Sequence, residues 1–145
     1  LLIDLPPGTS DIHLTLVQLI KLTGAVIVTT PQKVALSDAT KGLQFFNQSG
    51  INVPLLGLVE NMAYFTPAEL PDNKYYLFGK DGGKSLAEKY KVPFLGEVPL
   101  IQAIREAGDE GKPIAADAGP SADAFMHIAE NLAQQIAITN AKSLA

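Results

Sequence analysis

Short, uninterrupted apolar runs separated by stretches of helical period limit what this chain folds into more than any other feature. Residues 1–5, 25–30, 55–59 and 94–98 are apolar at consecutive rather than alternating positions. Strands of that kind are buried on both faces, as in the centre of a parallel sheet. Between them the spacing predicts helices over 11–21, 34–48, 80–90 and 101–107, and a last helix opening near Pro120. Thr9 and Ser10 are N-cap residue types, Ser49-Gly50 is a helix stop, and proline suits a first turn. Phe125, Ile128, Leu132 and Ile136 recur every three or four residues and form one apolar stripe. Alternation of this kind with short connections predicts an α/β fold, a mostly parallel sheet joined by right-handed crossovers with helices on both faces.

Two segments depart from the rhythm. Residues 63–79 hold Tyr64, Phe65, Tyr75, Tyr76 and Phe78, too aromatic for a linker, and are expected to form a loop or small hairpin that packs down. Residues 108–119 are rich in Gly, Ala and Asp and are expected to be an exposed excursion. The chain also opens inside an apolar run and without Met, which reads as the C-terminal portion of a longer protein.

Composition excludes several functional classes. The 145 residues are 47% hydrophobic and 18% charged, enough to bury a core and too apolar for disorder. A net charge of −4 argues against nucleic acid or an anionic membrane surface as partner, since both require a basic patch. With no cysteine, disulfides, thiolate metal sites and cysteine nucleophiles are absent from this sequence. No apolar run approaches the roughly 18 residues of a membrane span, so a soluble, cytoplasmic chain is expected. His13 and His127 have no neighbour at metal-ligand spacing, and no Ser–His–Asp set can be assembled.

In an open parallel sheet, ligands bind beyond the carboxyl ends of the strands. Those ends here supply Asp4 with Pro6-Pro7-Gly8-Thr9, then Thr29-Thr30-Pro31-Gln32, then Glu60-Asn61-Met62, then Pro99-Leu100. Asp4, closing an apolar run, suits a carboxylate that holds Mg²⁺ beside phosphates. Gly8 would let a backbone N–H approach a terminal phosphate. Both residues equally suit a plain turn. Asn61 carries a donor and an acceptor able to read a base edge, or simply follows a strand. Gly79-Lys80-Asp81-Gly82-Gly83-Lys84-Ser85 imitates a phosphate loop, but the pattern needs glycine at 78, where the chain has Phe78. A glycine turn feeding a helix is the expected outcome there.

Taken together, the strings are specific. Residues 1–11, 24–32, 57–62, 92–100 and 104–109 resemble the Mrp/ApbC family of iron–sulfur cluster carriers, within the MinD/ParA-like group of deviant P-loop ATPases. The resemblance runs from Leu1 to about residue 135, with Pro6-Pro7-Gly8-Thr9 and Glu60-Asn61-Met62 its most diagnostic blocks. It implies that residues 1–145 are the C-terminal part of such an ATPase domain, with the phosphate loop upstream of Leu1. It further implies Asp4 as the catalytic, Mg²⁺-associated residue, Gly8 as the switch glycine near the γ-phosphate, Asn61 at the adenine and Pro99 lining the base pocket. ATP would sit at a homodimer interface, and the partners would be iron–sulfur apoprotein clients. These residues alone are then expected to bind ATP weakly and not to hydrolyse it. The family commonly has a Cys-x-x-Cys pair just after the Glu-Asn-Met block, whereas Met62 to Lys74 contains no cysteine here. Two functions therefore stay open: an ATP-hydrolysing iron–sulfur cluster carrier, and a nucleotide-switched dimeric scaffold that carries no cluster.

Overall fold

The computed structural model describes residues 1–143 except 7, 9, 10, 52, 68 and 71. Helix α1 (Asp11–Leu19) precedes strand β1 (Ala25–Thr29), helix α2 (Lys33–Phe46) and strand β2 (Leu55–Phe65). Helix α3 (Gly82–Tyr90), strand β3 (Phe94–Leu100), helix α4 (Gln102–Asp109), a 3₁₀ turn (Ile114–Ala116) and helix α5 (Pro120–Ser143) follow. The three strands form one sheet in the order β1-β2-β3, and both pairings are parallel. The predicted fold class is therefore observed.

Successive residues of β2 point to opposite faces, and each face has its own core. Leu58 packs with Ala39, Leu43, Leu86 and Ala87 beneath α2 and α3. Val59 packs with Leu95 and Val98 against Ile104 of α4 and Phe125, Ile128 and Leu132 of α5, the stripe read from the sequence. Gly57 has no room for a side chain, since a Cβ there would lie 2.3 Å from Leu95 Cγ. Its missing methyl is what lets Leu95 of β3 lie across the central strand. Asn131 ties α5 to the sheet by donating its Nδ2–H to the Leu95 carbonyl at 2.8 Å. Among the described residues, no helix is long and apolar enough to cross a membrane.

The structure corrects the sequence reading at its first element. Residues 1–5 form no strand, and Leu2 is 87% exposed. An apolar run becomes a strand only when a neighbouring strand accepts its hydrogen bonds, and neither β1 nor β3 pairs with this segment. Among the described residues β1 pairs on one side only, with β2, and its Val28 is 61% exposed. The proposed N-cap of α1, Thr9 and Ser10, lies outside the described residues. His13 is structural as expected: it is buried, its Nε2 lies 3.0 Å from the Pro6 carbonyl oxygen, and its ring meets Phe45 edge-on.

The aromatic segment is the small hairpin expected. β2 runs on to Phe65, which exchanges two 2.8 Å backbone hydrogen bonds with Tyr75 in an antiparallel bridge. Lys74 Nζ sits 3.8 Å from the centre of the Tyr64 ring, a cation–π contact that pins the returning arm. Helix α3 starts at Gly82 rather than near Lys80, because Gly79 (φ +107°) and Asp81 (φ +55°) hold left-handed conformations that a helix cannot include.

Candidate functional site

Parallel pairing brings Thr29, Glu60 and Glu97 side by side near the carboxyl ends of the three strands. Glu60 is 1% exposed, an unusual place for a carboxylate. It lies on the α3 face and accepts hydrogen bonds from the backbone N–H groups of Gly83 and Lys84, in the first turn of α3. Asp81, the residue at the N-cap position, makes no side-chain capping bond, so a strand residue caps this helix from a distance. The phosphate-loop look-alike is explained by this contact. A Cβ on Gly83 would lie 2.9 Å from Glu60 Oε2, and one on Gly82 would lie 2.8 Å from the Pro31 carbonyl oxygen. The two glycines admit an internal carboxylate and a strand-end backbone where a phosphate loop would admit a ligand.

Burial pushes the Glu60 carboxyl above its ordinary value of 4.5, and the nearby charges of Glu97 and Asp81 push the same way, against the pull of the Gly83 and Lys84 N–H groups. A carboxyl whose folded-state value is raised binds its proton more tightly in the folded than in the unfolded chain. Its contribution to stability is therefore greatest below pH 4.5 and declines as the pH rises through the folded-state value. Urea midpoints measured across that range are expected to fall for the wild type relative to Glu60→Gln as the pH increases. Parallel profiles would contradict this.

Asn61 follows on β2 and pairs with Val98 of β3, one residue before Pro99. Its Oδ1 accepts the Met62 N–H at 2.8 Å, so the Nδ2 hydrogens are the donors left for a ligand. Met62 itself takes φ +54°. The β2–β3 register breaks between Asn61 and Phe65, and beyond the break Phe65 pairs with Leu100. There a cavity of about 410 Å³ opens, lined by Phe65, Leu77, Leu100, Ile101, Gln102 and Arg105. It is mostly apolar, with the Arg105 guanidinium at one side held by Asp109 at 2.6 Å and Glu106 at 3.1 Å.

Of the four site residues read from the sequence, Asn61 and Pro99 lie on adjacent strands, with Pro99 one residue beyond Val98, the partner of Asn61, and therefore on the opposite face of the sheet. Asp4 and Gly8 lie outside it, on the exposed segment that leads to α1. No hydrogen bond among the described residues joins them to the other two. Gly8 adopts φ +95° with nothing within 4 Å of where a Cβ would be, so its glycine character serves the backbone turn and not close packing. Asp4 is an exposed carboxylate. No group of three or more His, Cys, Asp or Glu among the described residues is placed to hold a metal ion. A Mg²⁺ ion at Asp4 would share that one carboxylate with phosphate oxygens and water, a donor set that suits it. An iron–sulfur cluster is not matched by this stretch, which has no thiolate to offer.

Sequence reasoning passed over Glu60 and the cavity wall. The signal for Glu60 was present: an acidic residue closing the apolar run from Leu55, with a glycine pair later in the chain to receive it. The cavity had no such signal, because Phe65, Leu77 and Arg105 are brought together by the hairpin and by the corner between β3 and α4.

Known proteins resemble the chain closely. The profile of a family described as ParA, NUBPL iron-transfer P-loop NTPase, matches residues 1–133. An iron–sulfur cluster carrier protein from Synechocystis is 49% identical over 140 residues, covering 95% of this chain and 39% of the relative. An iron–sulfur cluster transfer protein NUBPL from Dictyostelium discoideum is 44% identical over 142 residues, covering 97% of this chain and 43% of the relative. The chain thus spans about two fifths of the length of these curated relatives. Among solved structures, a nucleotide-binding protein from Archaeoglobus fulgidus in complex with ADP superposes with a TM-score of 0.67 at 38% identity, over 81% of this chain and 46% of its own. The cell division ATPase MinD of Pyrococcus furiosus superposes with a TM-score of 0.56 at 25% identity, over 77% of this chain and 43% of its own. With the parallel sheet and a match to 133 of 145 residues in agreement, the chain belongs to the ParA/NUBPL family of iron-transfer P-loop NTPases.

Proposed function

We propose that this chain supplies the base-reading and Mg²⁺-holding residues of an ATP-binding, ATP-hydrolysing iron–sulfur cluster carrier, a cytoplasmic homodimer that delivers its cargo to apoprotein clients. The observation that carries the reading is Asn61, its Nδ2 hydrogens unclaimed, at the carboxyl end of a parallel sheet on β2, four residues before Phe65, where an apolar cavity opens. Purine ring nitrogens are acceptors and their faces are apolar, which matches both parts. Membership of an NTPase family and likeness to an ADP-bound protein support the same assignment.

In this reading Asn61 donates to the base, Pro99 lines its pocket, the Gly8 N–H faces the terminal phosphate and Asp4 holds Mg²⁺. Mg²⁺ supplies charge neutralisation when bound, and the protein's own share is positioning and electrostatic preorganisation. Asn61→Ala in the full-length protein is expected to weaken ATP binding by about three- to tenfold, the loss of one or two neutral hydrogen bonds. Calorimetric titration with ATP measures it, and an unchanged affinity removes Asn61 from the site.

The second reading, a nucleotide-switched scaffold without cluster cargo, is favoured by one observation: the absence of cysteine from all 145 residues. Anaerobic reconstitution of the full-length protein with iron and sulfide separates the two. The carrier is expected to develop a sulfide-to-iron charge-transfer band, and a colourless protein selects the scaffold.

A further inference from the structure

We propose that Met62 is a positioning residue for Asn61: its backbone, held in a left-handed conformation, aims the Asn61 amide so that Nδ2 and not Oδ1 faces a ligand. The proposal rests on the nucleotide reading above and adds to it a residue whose side chain takes no part.

Among the described residues, Met62 (φ +54°) is one of three non-glycine residues with positive φ. The other two, Asp81 and Lys91, stand at the two caps of α3, where a chain changes direction. Met62 lies inside β2, where a strand has no use for that conformation. A residue with a Cβ occupies this region at a cost and persists there only where its surroundings fix it, a situation concentrated at functional positions. The fixed points are its neighbours in the chain: Glu60 and Ala63 are each 1% exposed. The Met62 side chain itself is 38% exposed and belongs to none of the three core clusters. The backbone, not the side chain, is therefore what the sheet holds. Phe65 pairs with Leu100 four residues after Asn61 but only two after Val98, so β2 bulges at this point. Bulges re-aim side chains and recur beside active sites.

The chemical consequence falls on Asn61. An asparagine amide rotates between two broad orientations, one presenting oxygen and the other nitrogen. The Met62 N–H donates to Asn61 Oδ1 at 2.8 Å, and a donor accepts only oxygen on its side. Nδ2 is left to point away, towards an acceptor such as a purine ring nitrogen. With Glu60 and Ala63 fixed, φ of Met62 relaxes only if the peptide plane between Asn61 and Met62 turns with it. That turn carries the N–H away from Oδ1 and releases the amide.

Two substitutions in the full-length protein separate backbone from side chain. Met62→Val puts a β-branched residue at a φ it resists, whereas Met62→Gly removes the strain and keeps the N–H. By calorimetric titration, affinity for ATP is expected to fall about three- to tenfold in Met62→Val, as it does when Asn61 no longer donates. It is expected to stay at the wild-type value in Met62→Gly. Affinity for inorganic triphosphate, which has no base, is expected to be unchanged in both. Adding Met62→Val to Asn61→Ala is expected to cost nothing further, because Met62 acts only through Asn61.

Wild-type ATP affinity in Met62→Val would overturn the proposal and leave the nucleotide reading intact. An equal loss in Met62→Gly would overturn it by making the side chain responsible. Additive losses in the double variant, or equal losses for ATP and triphosphate, would overturn it as well. Should Met62→Val fail to fold, Met62→Thr takes its place, branched in the same way but polar enough for an exposed position. Failure of the nucleotide reading has a separate signature, an unaltered ATP affinity in Asn61→Ala.

Discussion

Mg²⁺-dependent ATP turnover by the full-length protein is expected to fall by at least about hundredfold when Asp4 is replaced by alanine, the scale on which one preorganised charge-stabilising group acts. Asp4 is the single carboxylate assigned to the metal, and Mg²⁺ in phosphoryl-transfer sites draws on one or two carboxylates beside the substrate's own oxygens. The fold should be indifferent to the change. Within these residues Asp4 is exposed, lies outside the sheet and has no hydrogen bond or ion pair among the described residues, the setting of a surface substitution worth within about 0.5 kcal/mol. Three measurements isolate the effect: urea stability unchanged, ATP affinity in the presence of a chelator unchanged, and turnover lost at every Mg²⁺ concentration. Undiminished turnover would take Asp4 out of the site and leave the charge on Mg²⁺ to residues beyond this stretch.

What the sequence disclosed, and what it hid, divides along a physical line. Leu55 to Val59, Phe94 to Val98 and the stripe from Phe125 to Leu132 were legible because period and burial are local consequences of side-chain type. Residues 1–5 have the same composition as those strands but no strand neighbour among the described residues, and an apolar run without a partner to accept its hydrogen bonds forms no strand. The start of α3 was misplaced by two residues for a backbone reason: Asp81 adopts a left-handed conformation, which aspartate tolerates but does not announce.

The site divides in the same way. Asn61 and Pro99 were singled out because they follow apolar runs directly, and a parallel sheet sends the ends of its strands to one edge; their part in a base pocket is a proposal. The cavity wall could not be named, since Phe65 and Leu77 meet only after the hairpin closes. Glu60 is the instructive case. As a letter it is one more acidic residue at the end of a strand. Its meaning comes from burial, which makes an unpartnered carboxylate costly and therefore requires the donors that Gly83 and Lys84 provide.

The same coupling of core to site predicts the largest stability effect. Leu58→Ala is expected to destabilise the full-length protein by about 2–5 kcal/mol, the range for truncating a fully buried leucine. Leu58 is 0% exposed and stands where α2 and α3 meet the sheet, among Leu43, Leu86 and Ala87. Its neighbours have little freedom to close the space: Ala39 and Ala87 have no rotamers to adjust, and Leu58 Cδ2 already lies 3.0 Å from where a Cβ on Gly83 would stand. The residual cavity should therefore stay open, which places the cost towards the upper part of the range. Urea unfolding of the variant checks it, and a loss within about 0.5 kcal/mol, the scale of surface substitutions, would contradict the packing. Because the cavity left by Leu58→Ala would open directly beneath Gly83, that variant should also accelerate amide exchange at the first turn of α3. A core defect would then reach the Glu60 cap of α3 without altering any polar group.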